Sequence, residues 1–357
     1  MISEREIKKE DVLPLLEEII RGEGSLIAPV RNRHDDVLLL PVQEASEVAL
    51  DFENTWNSIK EYVLPNCESL FAFGEKIDSL KVVKEAESLI AFGLRSCDVS
   101  ALHLLDSFFG RGFKDNYYSD RRDKLTLISL ACPEPFEGCF CTATKTGPFL
   151  KENFDLQLVP LKESYLAQAG SPLGERFVDK YKTYFSPADK NSLEEAKGLR
   201  EKALAGKPCF SLDQVYEQLK AGKVPRELWT DIAERCQSCG LCLFICPTCS
   251  CYTLVDRENT RGEKRRMRQW DACYFRGFTR MAGNSDPVSS NEEMVQRKYN
   301  HKLWQQIDEF GMSGCAGCGR CSRACVGNVN WLENIVKLTS APVLQCSSPE
   351  RKKEIPL

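Results

Sequence analysis

Eight cysteines in two runs of identical spacing constrain this chain more than any other feature of its sequence. In a run of this kind the first three thiolates surround one face of an iron–sulfur cubane, and the fourth reaches across to a neighbouring cubane. Two such runs therefore predict a pair of [4Fe–4S] clusters, and hence electron transfer. The runs are Cys236-x-x-Cys239-x-x-Cys242-x-x-x-Cys246-Pro247 and Cys315-x-x-Cys318-x-x-Cys321-x-x-x-Cys325.

The exchange of the fourth cysteine between the runs sets the predicted ligands of each cluster. We call the two ligand groups the first site and the second site. The first site consists of Cys236, Cys239, Cys242 and Cys325, and the second site consists of Cys315, Cys318, Cys321 and Cys246.

Zinc and disulfide bonds are the alternative uses of these eight cysteines. Zinc ribbons hold each metal with two Cys-x-x-Cys pairs, so a triple run leaves a surplus thiolate in each knuckle. Residues 1–5 include the charged Glu4 and Arg5 and do not resemble the apolar segment of a secretory signal, so we do not expect disulfides. Iron–sulfur clusters are therefore the favoured interpretation.

Composition limits the compartment and the classes of partner. The chain has 357 residues, enough for two domains with ordinary cores, and its formal net charge of −4 favours neither nucleic acid nor an anionic membrane as a partner. No stretch approaches the roughly 20 apolar residues that a membrane span requires. Eighteen cysteines without a secretory signal indicate a reducing compartment. We expect a cytoplasmic redox protein and, because exposed cubanes are sensitive to oxygen, an anaerobic host.

The first half of the sequence alternates strand patterns with helical patterns. Short apolar runs predict strands, and apolar residues at helical spacing predict the helices between them. Asp98 is placed to cap the helix that follows it. This rhythm favours a parallel sheet in an α/β domain. The predicted elements are a strand at 37–42, a helix at 53–62, a strand at 88–94, a helix at 99–109 and a strand at 125–131.

The rest of the chain is predicted to contain one hairpin, at 156–159 and 164–167, and otherwise helices. Residues 174–206 and the polar connector 212–222 have helical patterns, and 247–314, between the cysteine runs, are rich in helix-forming residues. The predicted fold is an α/β N-terminal domain plus a mainly α-helical two-[4Fe–4S] ferredoxin-type domain. The predicted boundaries are 1–210 for the α/β domain, 211–225 for the connector, 226–340 for the dicluster domain and 341–357 for a tail.

Four further cysteines could converge at one edge of the predicted sheet. Cys97 and Cys132 each follow a predicted parallel strand, and such strands share the edge at which ligands usually bind. Cys139 and Cys141 follow on the next loop, and both can bind one group only if Phe140 lies in a tight turn. We call these four cysteines the third site. They could hold a third [4Fe–4S] cluster, and the alternative is that they are buried, inert thiols.

The remaining cysteines and the basic run give weaker signals. Cys249, Cys251 and Cys273 could be ligands of another cluster, neighbours of a bound cluster or structural thiols, and we favour the last two. The basic run at 261–268 is expected to be a solvated face, although cations near a cluster would favour its reduced form and help to dock an acidic partner. Three cysteines have no partner at meaningful spacing and are expected to be ordinary thiols: Cys67, Cys209 and Cys346.

Several longer motifs occur along the chain in one order. They are Phe92-Gly93-Leu94-Arg95-Ser96-Cys97-Asp98, Asp115-x-x-Tyr118-x-x-Arg121-Arg122, Cys139-Phe140-Cys141, Cys246-Pro247-Thr248-Cys249-x-Cys251-Tyr252, Arg265-Arg266-x-Arg268-Gln269-Trp270-x-x-Cys273 and Met281-Ala282-Gly283. Together they resemble the iron–sulfur subunit that anaerobic sulfite reductases share with cytoplasmic sulfhydrogenases, in which it is the beta subunit. The similarity extends over residues 85–335.

The resemblance implies a non-catalytic electron-transfer subunit of a multi-subunit oxidoreductase. In such complexes a separate flavoprotein takes electrons from NAD(P)H, and this type of subunit relays them to a catalytic partner. That partner is a sulfite reductase, a nickel–iron hydrogenase or a heterodisulfide-reductase-like module. The resemblance also favours a cluster at the third site. Two departures concern the partner and leave the clusters intact: Val326 replaces a usual proline, and Asn284-Ser285-Asp286 replaces a Gly-His-type continuation.

The alternative function is a self-contained flavin-dependent reductase with its site at the N-terminal α/β edge. Arg95, Arg121 and Arg122 are near that edge and could hold an anion. No Gly-x-Gly-x-x-Gly motif follows a predicted strand and no Walker loop is present, so we favour the relay. A cluster-based sensor or scaffold is a third hypothesis, which no motif demands.

Overall fold

The computed structural model describes residues 3–23, 25–74, 79–83, 86–205, 208, 210–258, 260 and 262–339. None of the helices in these ranges has both the length and the apolar character needed to cross a membrane. The strands are β1 (Ser3–Lys8), β2 (Leu26–Arg31), β3 (Val37–Val42), β4 (Cys67–Phe73), β5 (Lys81–Val82), β6 (Leu89–Leu94), β7 (Leu125–Leu130), β8 (Leu156–Pro160), β9 (Ser164–Ala169), β10 (Ser186–Pro187), β11 (Tyr252–Glu258) and β12 (Lys264–Trp270).

The helices alternate with strands in the first half and dominate the second. They are α1 (Val12–Glu23), α2 (Lys60–Val63), α3 (Ser96–Gly110), α4 (Asn116–Arg122), α5 (Cys141–Thr144), α6 (Pro172–Lys180), α7 (Lys190–Leu204), α8 (Leu212–Lys220), α9 (Arg226–Arg235), α10 (Leu241–Phe244), α11 (Asn291–Asn300), α12 (Gln306–Phe310), α13 (Arg320–Arg323) and α14 (Trp331–Lys337). The segment His301–Gln305 forms a π-helical turn between α11 and α12.

An eight-stranded sheet forms the centre of the N-terminal region, in the order β10-β1-β9-β8-β7-β6-β2-β3. The neighbours β2, β6, β7 and β8 run parallel, as predicted for an α/β domain. Antiparallel strands extend the sheet on both sides, so it is mixed rather than purely parallel. The predicted strands at 37–42, 88–94 and 125–131 and the predicted hairpin are all confirmed, because their apolar runs are long enough to be buried in the sheet.

The predicted helix at 53–62 is wrong for most of its length. Only α2 is helical there, and the preceding segment lies against strand β3 in an irregular conformation. The Asn57 side chain accepts a hydrogen bond from Leu39 N at 2.7 Å and donates to Leu39 O at 2.9 Å, and Trp56 N donates to Val37 O. These bonds satisfy the free edge of β3, which competes with the helical hydrogen bonds that the local pattern favours.

The predicted capping role of Asp98 is also wrong. Helix α3 begins at Ser96, two residues earlier than Asp98, which therefore lies inside the first turn. The Asp98 carboxylate is buried and forms an ion pair with Arg320 at 2.8 Å. Its negative charge is therefore used in a long-range contact and not at the helix start.

Strands β11 and β12 form an antiparallel pair in a region for which helices were predicted. These strands join a second sheet in the order β11-β12-β4-β5. Opposite charges face each other across the pair, Asp256 with Arg266 and Glu258 with Lys264. Such cross-strand pairs stabilise a sheet, so the charged residues that suggested a helix instead fix the register of the strands. The predicted helices occur only later in this interval, from α11 onwards.

The second sheet joins parts of the chain that the predicted domain boundaries separate. Strand β4 lies in the predicted α/β domain, and it pairs with β12. The fully buried Arg268 of β12 forms ion pairs with Glu68 at 2.5 Å and with Asp115. The prediction that the basic run forms a solvated face is therefore wrong at Arg268. Arg261 lies outside the described residues. The boundaries at 210, 225 and 340 stay a prediction.

Candidate functional site

Both cysteine runs have the same backbone conformation. Residues two and four positions after the first cysteine have positive φ in each run: Ser238 and Gly240 in the first, and Gly317 and Gly319 in the second. Each run then enters a short helix, α10 or α13. Left-handed residues at these offsets curl the chain so that thiols three residues apart face the same side, a geometry that glycine adopts without strain.

The first-site cysteines surround one cavity. Cys236, Cys239, Cys242 and Cys325 line a space of about 520 Å³, including its open mouth, between the two runs. Cys325 comes from the second run, as the predicted exchange of the fourth cysteine requires. Cys239 is exposed at the mouth, so this group of thiols reaches the protein surface.

The second-site cysteines also lie together. The thiol of Cys246, the last cysteine of the first run, interacts electrostatically with those of Cys315, Cys318 and Cys321. Burial raises the pKa of Cys318 to about 11, while Arg320 opposes that rise. Both exchanged cysteines therefore face the run to which they were assigned, and the second site is the more enclosed of the two.

The third-site cysteines converge at the carboxyl ends of β6 and β7. Cys97 lies in the first turn of α3, and Cys132 lies just beyond β7. Together with Cys139 and Cys141 they line a second cavity of about 520 Å³. The chain turns at Phe140, whose buried ring packs against that of Phe210. The thiols of Cys139 and Cys141, on either side of it, lie within hydrogen-bonding distance of each other. The tight turn that the sequence required at Phe140 is present.

The loop of the third site packs directly on the second cysteine run. The Phe140 N–H donates to the carbonyl oxygen of Gly317 at 2.7 Å. A side chain at Gly317 would overlap the backbone of Cys141, and one at Gly319 would overlap the backbone of Gly138, so only glycine allows this approach. The two segments are in main-chain contact at the point where both carry cysteines.

The three groups of thiols form a row. Cys318 of the second site also lines the third-site cavity, and Cys321 of the second site also lines the first-site cavity. The second site therefore lies between the other two, with one of its cysteines at each junction. Redox cofactors held by the three groups would therefore lie side by side, with that of the second site in the middle.

Hydrogen bonds point at several of these sulfur atoms. The backbone N–H of Gly317 donates to Cys315 Sγ at 3.4 Å, and the N–H of Val329 donates to Cys325 Sγ at 3.3 Å. The Phe136 N–H donates to Cys139 Sγ at 3.2 Å. Donors of this kind stabilise thiolates and raise the potentials of clusters bound to them.

Buried cations accompany the thiols, and no role was predicted for them. Lys298 lines the first-site cavity, and Lys302 donates to Thr248 and to Gly314 O beside the second site. Burial lowers the pKa of Lys302, but the neighbouring Cys246 thiolate and others more than offset this effect. Lys298 and Lys302 are four residues apart, on either side of the junction between α11 and the π turn. In this otherwise polar segment both fall on the apolar stripe of Met294, Val295, Tyr299 and Leu303, and that position was the signal available in the sequence.

Cys249 lies beside the second site, and Cys251 and Cys273 form a pair next to it. The Cys249 thiol is within hydrogen-bonding distance of Cys246, and Cys251 is similarly close to Cys273. The hydrogen bond from Cys273 lowers the pKa of Cys251 to about 7. No three His, Cys, Asp or Glu side chains within the described ranges are spaced to hold a single metal ion. Of the three cysteines predicted to be ordinary thiols, Cys67 is exposed at the start of β4, and Cys209 and Cys346 lie outside those ranges.

The three arginines of the alternative function are not brought together. Arg95 is buried at the third site, where it donates to the carbonyl oxygens of Phe52 and Glu53. Arg121 forms an ion pair with Glu68 at 2.6 Å. Arg122 pairs with an aspartate of α3 at 3.2 Å. Because each guanidinium has a different location and a different partner, they do not form one anion site.

Comparison with known proteins agrees with this geometry. Residues 235–329, which contain both cysteine runs, match the model of the family described as a 4Fe–4S dicluster domain, and that domain implies two [4Fe–4S] clusters. Over 311 residues the chain is 27% identical to sulfhydrogenase 2 subunit beta of Pyrococcus furiosus, a match that covers 87% of this chain and 91% of that protein. The chain is a homologue of that subunit, with a mixed α/β N-terminal region and a C-terminal dicluster region, as predicted.

Proposed function

We propose that this chain is an electron-relay subunit of a multi-subunit oxidoreductase. It relays electrons between an NAD(P)H-oxidising flavoprotein and a catalytic redox subunit. The observation that carries the proposal is the row of three cysteine groups, with Cys318 at one junction and Cys321 at the other. A row of adjacent redox centres is what a relay needs, whereas a substrate-binding enzyme needs a pocket for its substrate.

The ligands of the two dicluster centres follow the first and second sites. We assign Cys236, Cys239, Cys242 and Cys325 to one cluster and Cys315, Cys318, Cys321 and Cys246 to the other. A bound [4Fe–4S] cluster supplies reversible one-electron transfer. The protein contributes the thiolates, the N–H donors and a mainly buried setting. The exposed Cys239 marks the first site as the end of the row that is open to a partner.

A third cluster on Cys97, Cys132, Cys139 and Cys141 completes the proposed relay. The cavity among these thiols is large enough for more than a water molecule. Arg95 is buried beside Cys132 and has no carboxylate partner among the described residues. A buried cation needs an anion nearby, and a cluster with four thiolates would supply it. This support is independent of the spacing of the cysteines.

The partners are inferred from the relative. The Pyrococcus furiosus protein is by name one subunit of a sulfhydrogenase. By analogy we propose a flavoprotein as the electron donor or acceptor on one side, and a hydrogenase, a sulfite reductase or a heterodisulfide-reductase-like module on the other. Location in the cytoplasm and an anaerobic host are part of the same proposal.

The relay is tested by adding NAD(P)H anaerobically to the tagged holoprotein, alone and together with the subunits that copurify with it from its native host. We expect the visible absorbance of the clusters to bleach only when a copurified flavoprotein is present. Oxidation of NAD(P)H by the chain alone, with bound flavin, would instead support the self-contained reductase.

The third cluster is tested by the double substitution Cys139→Ser/Cys141→Ser. This variant should lose about a third of its iron, since one of three equal clusters is removed, while the spectra of the other two persist. Cys67→Ser is the matched control, because that thiol is exposed and lies at none of the three sites. Unchanged iron content in the double variant would show that the third-site cysteines are ordinary buried thiols.

A further inference from the structure

Lys298 is a buried cation that lies where the first and second sites meet. It is only 5% exposed, and it lines the first-site cavity together with Cys242 of one site and Cys321 of the other. Its Nζ lies 4.3 Å from the centroid of the Trp331 ring and 5.8 Å from that of Tyr274. Among the described residues it forms no ion pair with a carboxylate.

The surroundings of Lys298 do not balance its charge. Burial of an ammonium group is costly unless an anion or several hydrogen bonds replace the lost water. Two aromatic faces offset only a part of that cost. The acidic groups that face the ammonium are thiols, chiefly Cys242 and Cys321, and the phenols of Tyr274 and Tyr299. We therefore assign the missing negative charge to the clusters that these thiols would bind.

Other buried cations near the cysteine runs have oxygen partners, as Lys60 does in the carbonyl groups of Phe244 and Cys249. Lys302 donates to Thr248 Oγ1 at 2.7 Å and to Gly314 O at 2.8 Å, and so ties the loops of the two runs together. Arg320 forms an ion pair with Asp98 at 2.8 Å, so the pair is neutral as a unit. Hydrogen bonds to neutral oxygens leave the charge of Lys302 in place beside the second site. Lys298 has neither kind of partner among the described residues, and it is the lysine that lies where the first and second sites meet.

We propose that Lys298 sets the reduction potentials of the two dicluster centres by placing one uncompensated positive charge between them. Reduction adds an electron to a cluster that is already anionic, so a fixed cation stabilises the reduced form more than the oxidised form and raises the potential. A cation that lies between two neighbouring clusters stabilises an added electron on either of them, so it raises both potentials. The inference deepens the proposed relay and rests on the two clusters of the dicluster domain.

The test is an anaerobic redox titration of the full-length holoprotein, followed by EPR. Lys298→Met, which keeps the length of the side chain and removes its charge, should lower both potentials by at least the equivalent of a tenfold change in the reduction equilibrium, about 59 mV for one electron. Lys298→Arg should restore potentials close to the parent values. Lys337→Met is the matched control, because it removes the same charge from a half-exposed lysine beside Asp231, where solvent screens it.

Each outcome decides the proposal. Parent potentials in K298M would overturn it. If K298M binds no iron, iron content becomes the measurement: full iron in K298R supports a role for the charge, and loss of iron in K298R as well refutes it. If the potentials of K298M are lowered but no flavoprotein can reduce the parent protein, the role of Lys298 is supported and the proposed relay is refuted. The two proposals can therefore fail separately.

Discussion

Replacing Gly317 with alanine should break the close contact between the second cysteine run and the third-site loop. Gly317 has a φ of +62°, and an added Cβ would lie 2.7 Å from two backbone atoms of Cys141 and one of Phe140. The left-handed conformation costs alanine about 1–2 kcal/mol. Main-chain atoms cannot rotate away, so the segments must separate by about 0.7 Å to reach ordinary contact at 3.4 Å, and such overpacking adds about 1–3 kcal/mol.

We therefore expect G317A to be destabilised by about 2–5 kcal/mol and to lose iron from the third site, because the displaced loop carries two of its cysteines. Gly222→Ala is the matched control: its φ is +63° and no atom lies within 4 Å of the added Cβ, so it adds backbone strain alone. Apparent melting temperature at one scan rate and iron per chain are measured anaerobically. If G317A has the same apparent melting temperature as G222A and keeps its full iron content, the close contact is not what holds the third site.

Two further substitutions test buried charges. Glu68→Gln removes the anion shared by Arg268 and Arg121 and should destabilise the protein by about 3–5 kcal/mol. Asp256→Asn breaks an exposed pair between β11 and β12 and should have a melting temperature close to that of the parent. Equal melting temperatures for the two variants would contradict this prediction. Asp98→Asn leaves Arg320 unneutralised beside the second and third sites and should raise a cluster potential on the order of 60 mV, which EPR titration measures; an unchanged or lowered potential would count against it.

The features that could be predicted from the sequence were those fixed by local pattern. The parallel strands of the central sheet are continuous apolar runs, and such runs are buried whatever surrounds them. The grouping of the cysteines was also accessible, since three thiols at every third residue must share one face of a loop. The convergence of Cys132 and Cys97 followed from the rule that parallel strands end at one edge.

The features that could not be predicted depend on distant partners. Residues 53–59 lose their helix to hydrogen bonds from a strand edge. The antiparallel pair of β11 and β12 is supported by strand β4, which pairs with β12. Asp98 is drawn away from a capping role by Arg320, more than 200 residues along the chain. Lys298 was overlooked because a lysine in a polar helix ordinarily faces solvent, and only the tertiary structure turns it towards the thiols.

The central claim, that three clusters form a relay in this one chain, is tested most directly by anaerobic analysis of iron and acid-labile sulfide in the purified holoprotein. Three [4Fe–4S] clusters predict about twelve iron atoms and twelve sulfides per chain, with the EPR signals of neighbouring reduced clusters broadened by mutual interaction. About eight of each would leave the two dicluster centres and remove the third. Stoichiometric zinc without sulfide would contradict the account altogether.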